Sequence, residues 1–237
     1  MSDLLIIKNV AHEDLGLLAD VLAKHSVSFD LVDLDRGGQF PSLVGYKALV
    51  VLGGPASAND TNEPMTSELA LVEQATANGL PYLGICLGMQ VLVKVAGGRV
   101  VPGRGVQAGF IDPEGQPYTI TFTEDGKADP LLAGLKSPVR VFQLHGEVVE
   151  LNADIKLLGT EPVAQNQIVR VGTNAYGIQS HFELTEEMLR EWAVKDSALM
   201  PIGTDMLVRQ FNDIKHDYTK TGETLLQNFL HIAGLAQ

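Results

Sequence analysis

The stretch PYLGICLGMQ, Pro81 to Gln90, decides how the rest of the chain is read. A short apolar run ends at Ile85, the only cysteine of the chain follows at Cys86, and a segment of helical character begins at Leu87. Gly84 and Gly88 stand two residues to either side of the thiol. Strand, then small-x-nucleophile-x-small, then helix is the nucleophile-elbow pattern. A nucleophile on so sharp a turn holds a strained backbone, and its neighbours two residues away must be small where strand and helix approach. The following helix directs its N-terminus at the side chain, an environment that favours a thiolate. The competing reading makes Cys86 a small apolar side chain in the core, the usual fate of a free cysteine.

Outward from this corner, strand and helix patterns alternate. Leu4–Val10, Phe29–Leu34, Lys47–Leu52 and Tyr82–Ile85 read as strands. The run KALVVL at Lys47–Leu52 is nearly all apolar, as a strand covered on both faces requires. His12–His25, Pro64–Asn78 and Leu87–Ala96 carry apolar residues at helical spacing, with Pro64 suited to a first turn and Gly79 placed beyond the end. The order predicts an α/β fold, a mostly parallel sheet with helices on both sides. Between Gly97 and Val171 the pattern changes to short strand-like pieces, among them Tyr118–Thr123 and Val139–Leu144, which read as added antiparallel strands. Thr185 is placed to N-cap a helix running through Trp192, and a last helix is expected at about Glu223–Leu235. No repeat or linker is visible, so residues 1–237 read as one domain.

Composition narrows the function classes. At 45% hydrophobic and 19% charged residues, the chain is an ordinary globular sequence with a sizeable core. The formal net charge of −12 argues against phosphate backbones and anionic membranes as partners. No apolar run reaches the roughly 18 to 20 residues that span a bilayer. The first residues show no basic leader, so a cytoplasmic location is expected. One cysteine excludes an internal disulfide framework, and no histidine cluster suggests a metal, so neither metal nor cofactor is expected.

A reactive Cys86 needs an oxyanion hole, a base and a group that orients the base. LGGP, Leu52–Pro55, ends the third strand on the same sheet edge, and the N–H of Gly54 with that of Leu87 would form the hole. A plain Gly-Gly-Pro turn is the simpler alternative. For the base, two of the six histidines have a glutamate two residues on: His145 with Glu147, and His181 with Glu183. In extended chain, residues i and i+2 share a face, so either pair can form a His–carboxylate dyad. Spacing leaves both open, with a slight preference for His181, which lies directly after the apolar strand AYGIQS.

Taken together, Gly53-Gly-Pro55, Gly84-Ile-Cys-Leu-Gly-Met-Gln90, Phe142-Gln-Leu-His-Gly-Glu147 and Tyr176-Gly-Ile-Gln-Ser-His-Phe-Glu183 resemble the class I (triad) glutamine amidotransferases. The similarity runs from about Lys47 to Trp192. It points to stand-alone members similar to the glutaminase domain of GMP synthase. The resemblance implies a three-layer, flavodoxin-like sheet with added antiparallel strands. It assigns Cys86 as nucleophile, His181 as base and Glu183 as the orienting carboxylate, and it leaves His145–Glu147 outside the triad. It further implies that Gln90 holds bound glutamine, with Gln167 a weaker candidate for the same pocket. The implied reaction hydrolyses the glutamine side-chain amide through a cysteinyl thioester, with ammonia passing to a separate synthetase or acceptor.

Three departures stand out. Phe182 replaces the proline of the family's usual His-Pro-Glu, which is expected to alter pocket shape without abolishing catalysis. Glu147 replaces an aspartate, and Val106–Phe110 differs from the usual Glu-Ile-Gly-Trp. The residues after Trp192 are too few for a nucleotide-activating domain, so a partner synthetase is expected. The same triad also suits a γ-glutamyl peptide hydrolase that needs no acceptor. A catalytically silent binding or sensing protein is the alternative from another class. The sequence does not specify the acceptor or the oligomeric state.

Overall fold

A computed structural model of the chain describes residues 2–236. The first half runs β1 (Leu4–Lys8), α1 (Leu17–Lys24), β2 (Phe29–Asp33), β3 (Ala48–Val51), α2 (Glu63–Ala77), β4 (Tyr82–Ile85) and α3 (Leu87–Val95). It continues through β5 (Arg99–Gly109), β6 (Thr119–Phe122), α4 (Glu124–Lys127), β7 (Val139–Arg140) and β8 (Gln143–Glu150). The chain then forms β9 (Ile155–Thr160), β10 (Ile168–Val171), β11 (Ala175–Ile178), α5 (Glu186–Lys195) and α6 (Thr204–Ile232).

Nine strands form one sheet in the order β2-β1-β3-β4-β11-β10-β9-β6-β7, and β5 and β8 pair separately. The five strands β2-β1-β3-β4-β11 are mutually parallel. From β11 outward every pairing is antiparallel. The architecture is therefore α/β, a mostly parallel sheet extended by antiparallel strands.

The period of two along a doubly covered strand sorts its side chains between layers. Leu4 and Ile6 of β1, with Ala48 and Val50 of β3, pack with α1 and with Leu225, Leu226, Phe229 and Leu230 of α6. Leu5, Ile7, Leu49 and Val51 pack on the other face with Met65, Leu71 and Val72 of α2 and with Leu87, Met89 and Val91 of α3. Burying one such aliphatic side chain is worth about 1.5–3 kcal/mol, so these two layers hold the sheet edge in place. A third cluster joins Phe110 and Phe142 to Leu189 and Trp192 of α5 and to Leu207, Phe211 and Tyr218 of α6.

Two helix boundaries differ from the sequence expectation. The helix read as His12–His25 begins at Leu17. Gly16, at φ +50, turns the chain there, and the Leu17 N–H donates to the Glu183 carbonyl at 2.8 Å. Residues 12–15 are thereby released as a loop. The last helix, expected from about Glu223, starts at Thr204. Its polar first half hides a stripe, Leu207, Val208, Phe211, Tyr218 and Gly222, that is buried at helical spacing. Val139–Leu144 is not one strand either, because β7 ends at Arg140 and β8 begins at Gln143. Among the described residues, no helix is long and apolar enough to cross a membrane.

Because β1, β3, β4 and β11 run parallel, their carboxyl ends open on one edge. That edge gathers the loop after β1, Leu52–Pro55 after β3, Cys86 after β4 and Gln179–Glu183 after β11. Open α/β sheets bind ligands on this side.

Candidate active site

Cys86 sits at φ 51, ψ −104, and is one of two residues other than glycine with positive φ among those described. An L-residue there is strained, a state that persists only when the surroundings enforce it. The Cys86 N–H donates to the Ile178 carbonyl at 2.7 Å, tying the corner to β11. The flanking glycines answer to close approach. A Cβ on Gly84 would overlap the Gly88 carbonyl, and one on Gly88 would overlap the carbonyl of Val51 in β3. Leu87 opens α3, so its N–H has no intrahelical acceptor, as for the first amides of any helix.

Cys86 lines a cavity of about 470 Å³ together with Gly54, Pro55, Gln90, Leu144 and His145. Gly54 therefore borders the same space as Cys86. Gln90 reaches it from the first turn of α3, its Nε2 3.4 Å from both the Glu147 carbonyl and Gln179 Oε1. Gln167 does not join them. It is fully buried, accepts from Gln143 at 3.0 Å and donates to the Ala164 carbonyl at 2.9 Å. The pocket role implied for Gln167 is therefore dropped, since both ends of its amide are engaged away from the cavity.

His181 and Glu183 are brought together. His181 Nδ1 lies 2.6 Å from Glu183 Oε1, with both side chains buried. Burial by itself pushes the imidazole pKa down. The adjacent Glu183 carboxylate, with hydrogen bonds to Cys86 and Glu183, overcomes this and holds the pKa well above its ordinary value. Since Nδ1 faces the carboxylate, Nε2 is the nitrogen left for chemistry. The backbone of His181 is pinned as well: its N–H donates to the Phe142 carbonyl at 3.0 Å, and its carbonyl accepts from Tyr218 Oη at 2.7 Å. The Trp192 ring meets the imidazole edge-on, centroids 4.8 Å apart.

Phe182 behaves differently from the expected change in pocket shape. Its side chain joins the core cluster beneath α1 and α6 and is not part of the cavity wall. Its backbone instead supplies an N–H to Glu183 Oε2 at 2.9 Å. A proline at this position has no N–H to give, so phenylalanine adds a second fixed partner for the carboxylate.

Three participants carry no clear sequence signal. Gln179 donates to Cys86 Sγ at 3.6 Å. Tyr218 comes from the half of α6 that reads as polar surface. Glu13 lies in the loop released by Gly16 and lines the same cavity as Gln90. Gln179 sits inside the Tyr176–Glu183 motif, between strand and histidine, and only its side-chain direction is hidden from the sequence.

A sheet of this order with a strained cysteine after its fourth strand defines the class: an α/β protein built to present a thiol at the carboxyl edge. The chain belongs to the class I glutamine amidotransferases, whose family description, "Glutamine amidotransferase class-I", matches residues 15–198. The glutamine amidotransferase-like protein YfeJ of Salmonella typhimurium is 32% identical over 152 residues, covering 62% of this chain and 61% of that protein. A glutamine-hydrolyzing GMP synthase subunit of Natronomonas pharaonis is 30% identical over 160 residues, covering 67% and 76%. The chain thus spans less than two thirds of YfeJ, and it matches 25% of the GMP synthase of Thermomicrobium roseum. A crystal structure of a glutamine amidotransferase from Thermotoga maritima superposes with a TM-score of 0.84, covering 96% of this chain and 97% of that one at 27% identity.

Proposed function

We propose that the chain hydrolyses the side-chain amide of glutamine through a Cys86 γ-glutamyl thioester and releases ammonia for a separate acceptor or synthetase. The observation that carries this reading is the strained Cys86 together with a buried imidazole, His181, whose Nδ1 is held 2.6 Å from Glu183 Oε1 and whose pKa the neighbouring Glu183 and Cys86 raise. Family membership supports glutamine as the amide donor. The Natronomonas relative, named as part of a glutamine-hydrolyzing GMP synthase, supports a partner that uses the nitrogen.

In this reading Cys86 Sγ attacks the amide carbon, and the Gly54 and Leu87 N–H groups stabilise the oxyanion. The C–N bond then breaks as His181 Nε2 gives its proton to the departing nitrogen. Ammonia leaves and the γ-glutamyl group remains on sulfur. His181 next takes a proton from water, whose oxygen displaces the thiolate and yields glutamate. Glu183 keeps the imidazole in the required tautomer and stabilises its charged form. Gln90 is assigned to hold the substrate's amino-acid end.

A second reading has its own support. A cavity of about 470 Å³ lies within the range that takes drug-sized ligands, so γ-glutamyl amides larger than glutamine also fit. Purified protein given glutamine or a panel of γ-glutamyl dipeptides, with ammonia, glutamate and the Cys86 adduct followed, separates the two. Glutamine turnover with a Cys86-linked γ-glutamyl adduct is the expected result. Rapid dipeptide cleavage without it favours the peptide hydrolase. No adduct and no release from any amide sinks both and leaves a binding protein.

A further inference from the structure

A carboxylate that the Cys–His–Glu arrangement does not use is buried beside it. Glu13 is 8% exposed, and its Oε2 is buried without a hydrogen-bond partner. It fills the volume left by the missing side chain of Gly53. A Cβ there would overlap Glu13 Oε2 and stand 3.1 Å from His181 Cε1. The carboxylate and the imidazole edge therefore face each other across the first glycine of the LGGP turn. Burial pushes the Glu13 pKa up to about 7; the His181 charge opposes this, and the carboxylates of Glu183 and Asp196 add to it. Leaving a buried acceptor unsatisfied is unfavourable to a fold, more so when it is charged. The His181 charge offsets that cost only in part and no hydrogen bond meets Glu13 Oε2, which marks a group kept for a ligand.

Glu13 and Asp196 are in the wall of the same cavity as Cys86, Gly54 and Gln90. His181 must hand its proton to the departing nitrogen, so that nitrogen leaves on the side of the imidazole. Glu13 Oε2 and His181 Cε1 both border the space beside Gly53, which places the carboxylate on that side.

We propose that Glu13 is the leaving-group residue of this site, its carboxylate accepting an N–H of the departing nitrogen, so that the pocket selects amides of ammonia or primary amines over esters. The inference rests on the amide-cleaving reading above. As the C–N bond breaks, its electron pair goes to nitrogen and His181 Nε2 supplies the proton. Glu13 transfers nothing. It holds the remaining N–H so that the nitrogen lone pair faces the imidazole. An ester's departing oxygen has no N–H to offer and draws no benefit.

The test compares glutamine with the γ-methyl ester of glutamate in wild type, Glu13→Gln and Glu13→Met. Replacing Glu13 by Met is expected to lower kcat/KM for glutamine by about a hundredfold, and at least tenfold more than for the ester. Glu13→Gln, which keeps a carbonyl but no charge, should fall between. The melting temperature of Glu13→Gln should match or exceed wild type, because an unpartnered buried charge is gone. Equal losses on both substrates, or no loss on glutamine, overturn the role of Glu13. Equal losses with a lowered melting temperature identify it as structural. Wild type that cleaves the ester but never the amide overturns the amide-cleaving reading, and the inference with it.

Discussion

The chain contains the pattern His-x-Glu twice, and the two copies do opposite things. At His181 the glutamate two residues on turns its side chain to the ring, Oε1 2.6 Å from Nδ1, and its second oxygen takes the Phe182 N–H. At His145 the ring nitrogen Nδ1 meets the backbone carbonyl of Glu147 at 3.1 Å, while the Glu147 side chain accepts from Ser57 Oγ. The consequence is electrostatic. Carboxylate contact holds His181 above its ordinary pKa. Burial, with the nearby His181 charge, pushes His145 down to about 4, only partly offset by the Glu147 carbonyl. One imidazole is poised to carry charge beside a thiol; the other remains neutral. Two residues of identical spacing thus become a dyad only where the backbone leaves the sheet and both side chains are forced inward.

The comparison breaks most sharply at the rings themselves. His181→Gln should lower Cys86 acylation by glutamine at least about a thousandfold, while His145→Gln should cost less than about tenfold. Quenched-flow trapping of the adduct reads both, and a reversed order would falsify the choice of base. The carboxylates come next. Glu183→Gln should reduce acylation about a hundredfold or more by disturbing the tautomer. Glu147→Gln, which spares the carbonyl that meets His145, should leave acylation nearly intact and lose about 1 kcal/mol in a urea melt through the Ser57 contact.

Stability against pH gives a further test of the contrast between the two rings. An imidazole that titrates at about 4 in the fold and near 6.5 when unfolded binds fewer protons in the native state between those values. Its full contribution is present above pH 6.5 and is lost as pH falls toward 4, by at most about 3 kcal/mol. His145→Gln should therefore flatten the decline in stability across that window. Parallel declines in variant and wild type would show that His145 is not its source.

Much of the parallel half is legible because its signals are local. Leu4–Ile7 and Ala48–Val51 are apolar throughout, which only a doubly covered strand requires. Thr185 reads as a cap and accepts from the Met188 N–H at 3.3 Å. Gly84 and Gly88 read as small because the corner leaves no room. The departures from expectation share a cause. The helical pattern from His12 overruns the true start because the turn at Gly16 is set by Glu183, far along the chain. The first half of α6 looks like surface because its stripe is buried by Phe110, Phe142 and Trp192, which lie in other elements. Gln167 looks available for a ligand because nothing in the sequence announces Gln143 as its partner.

What the sequence determined by itself is the corner: strand, cysteine, helix, and the two glycines whose size the backbone path dictates. It also confined the base to two histidines of equal spacing. Only the tertiary structure distinguished the environments of those two, because a side chain's partner at i+2 depends on where the backbone sends both ends. Only the tertiary structure set Glu13 against His181. Those residues meet because parallel strands bring the ends of β1, β3 and β11 to one edge, and Gly53 leaves between them the space that the carboxylate occupies.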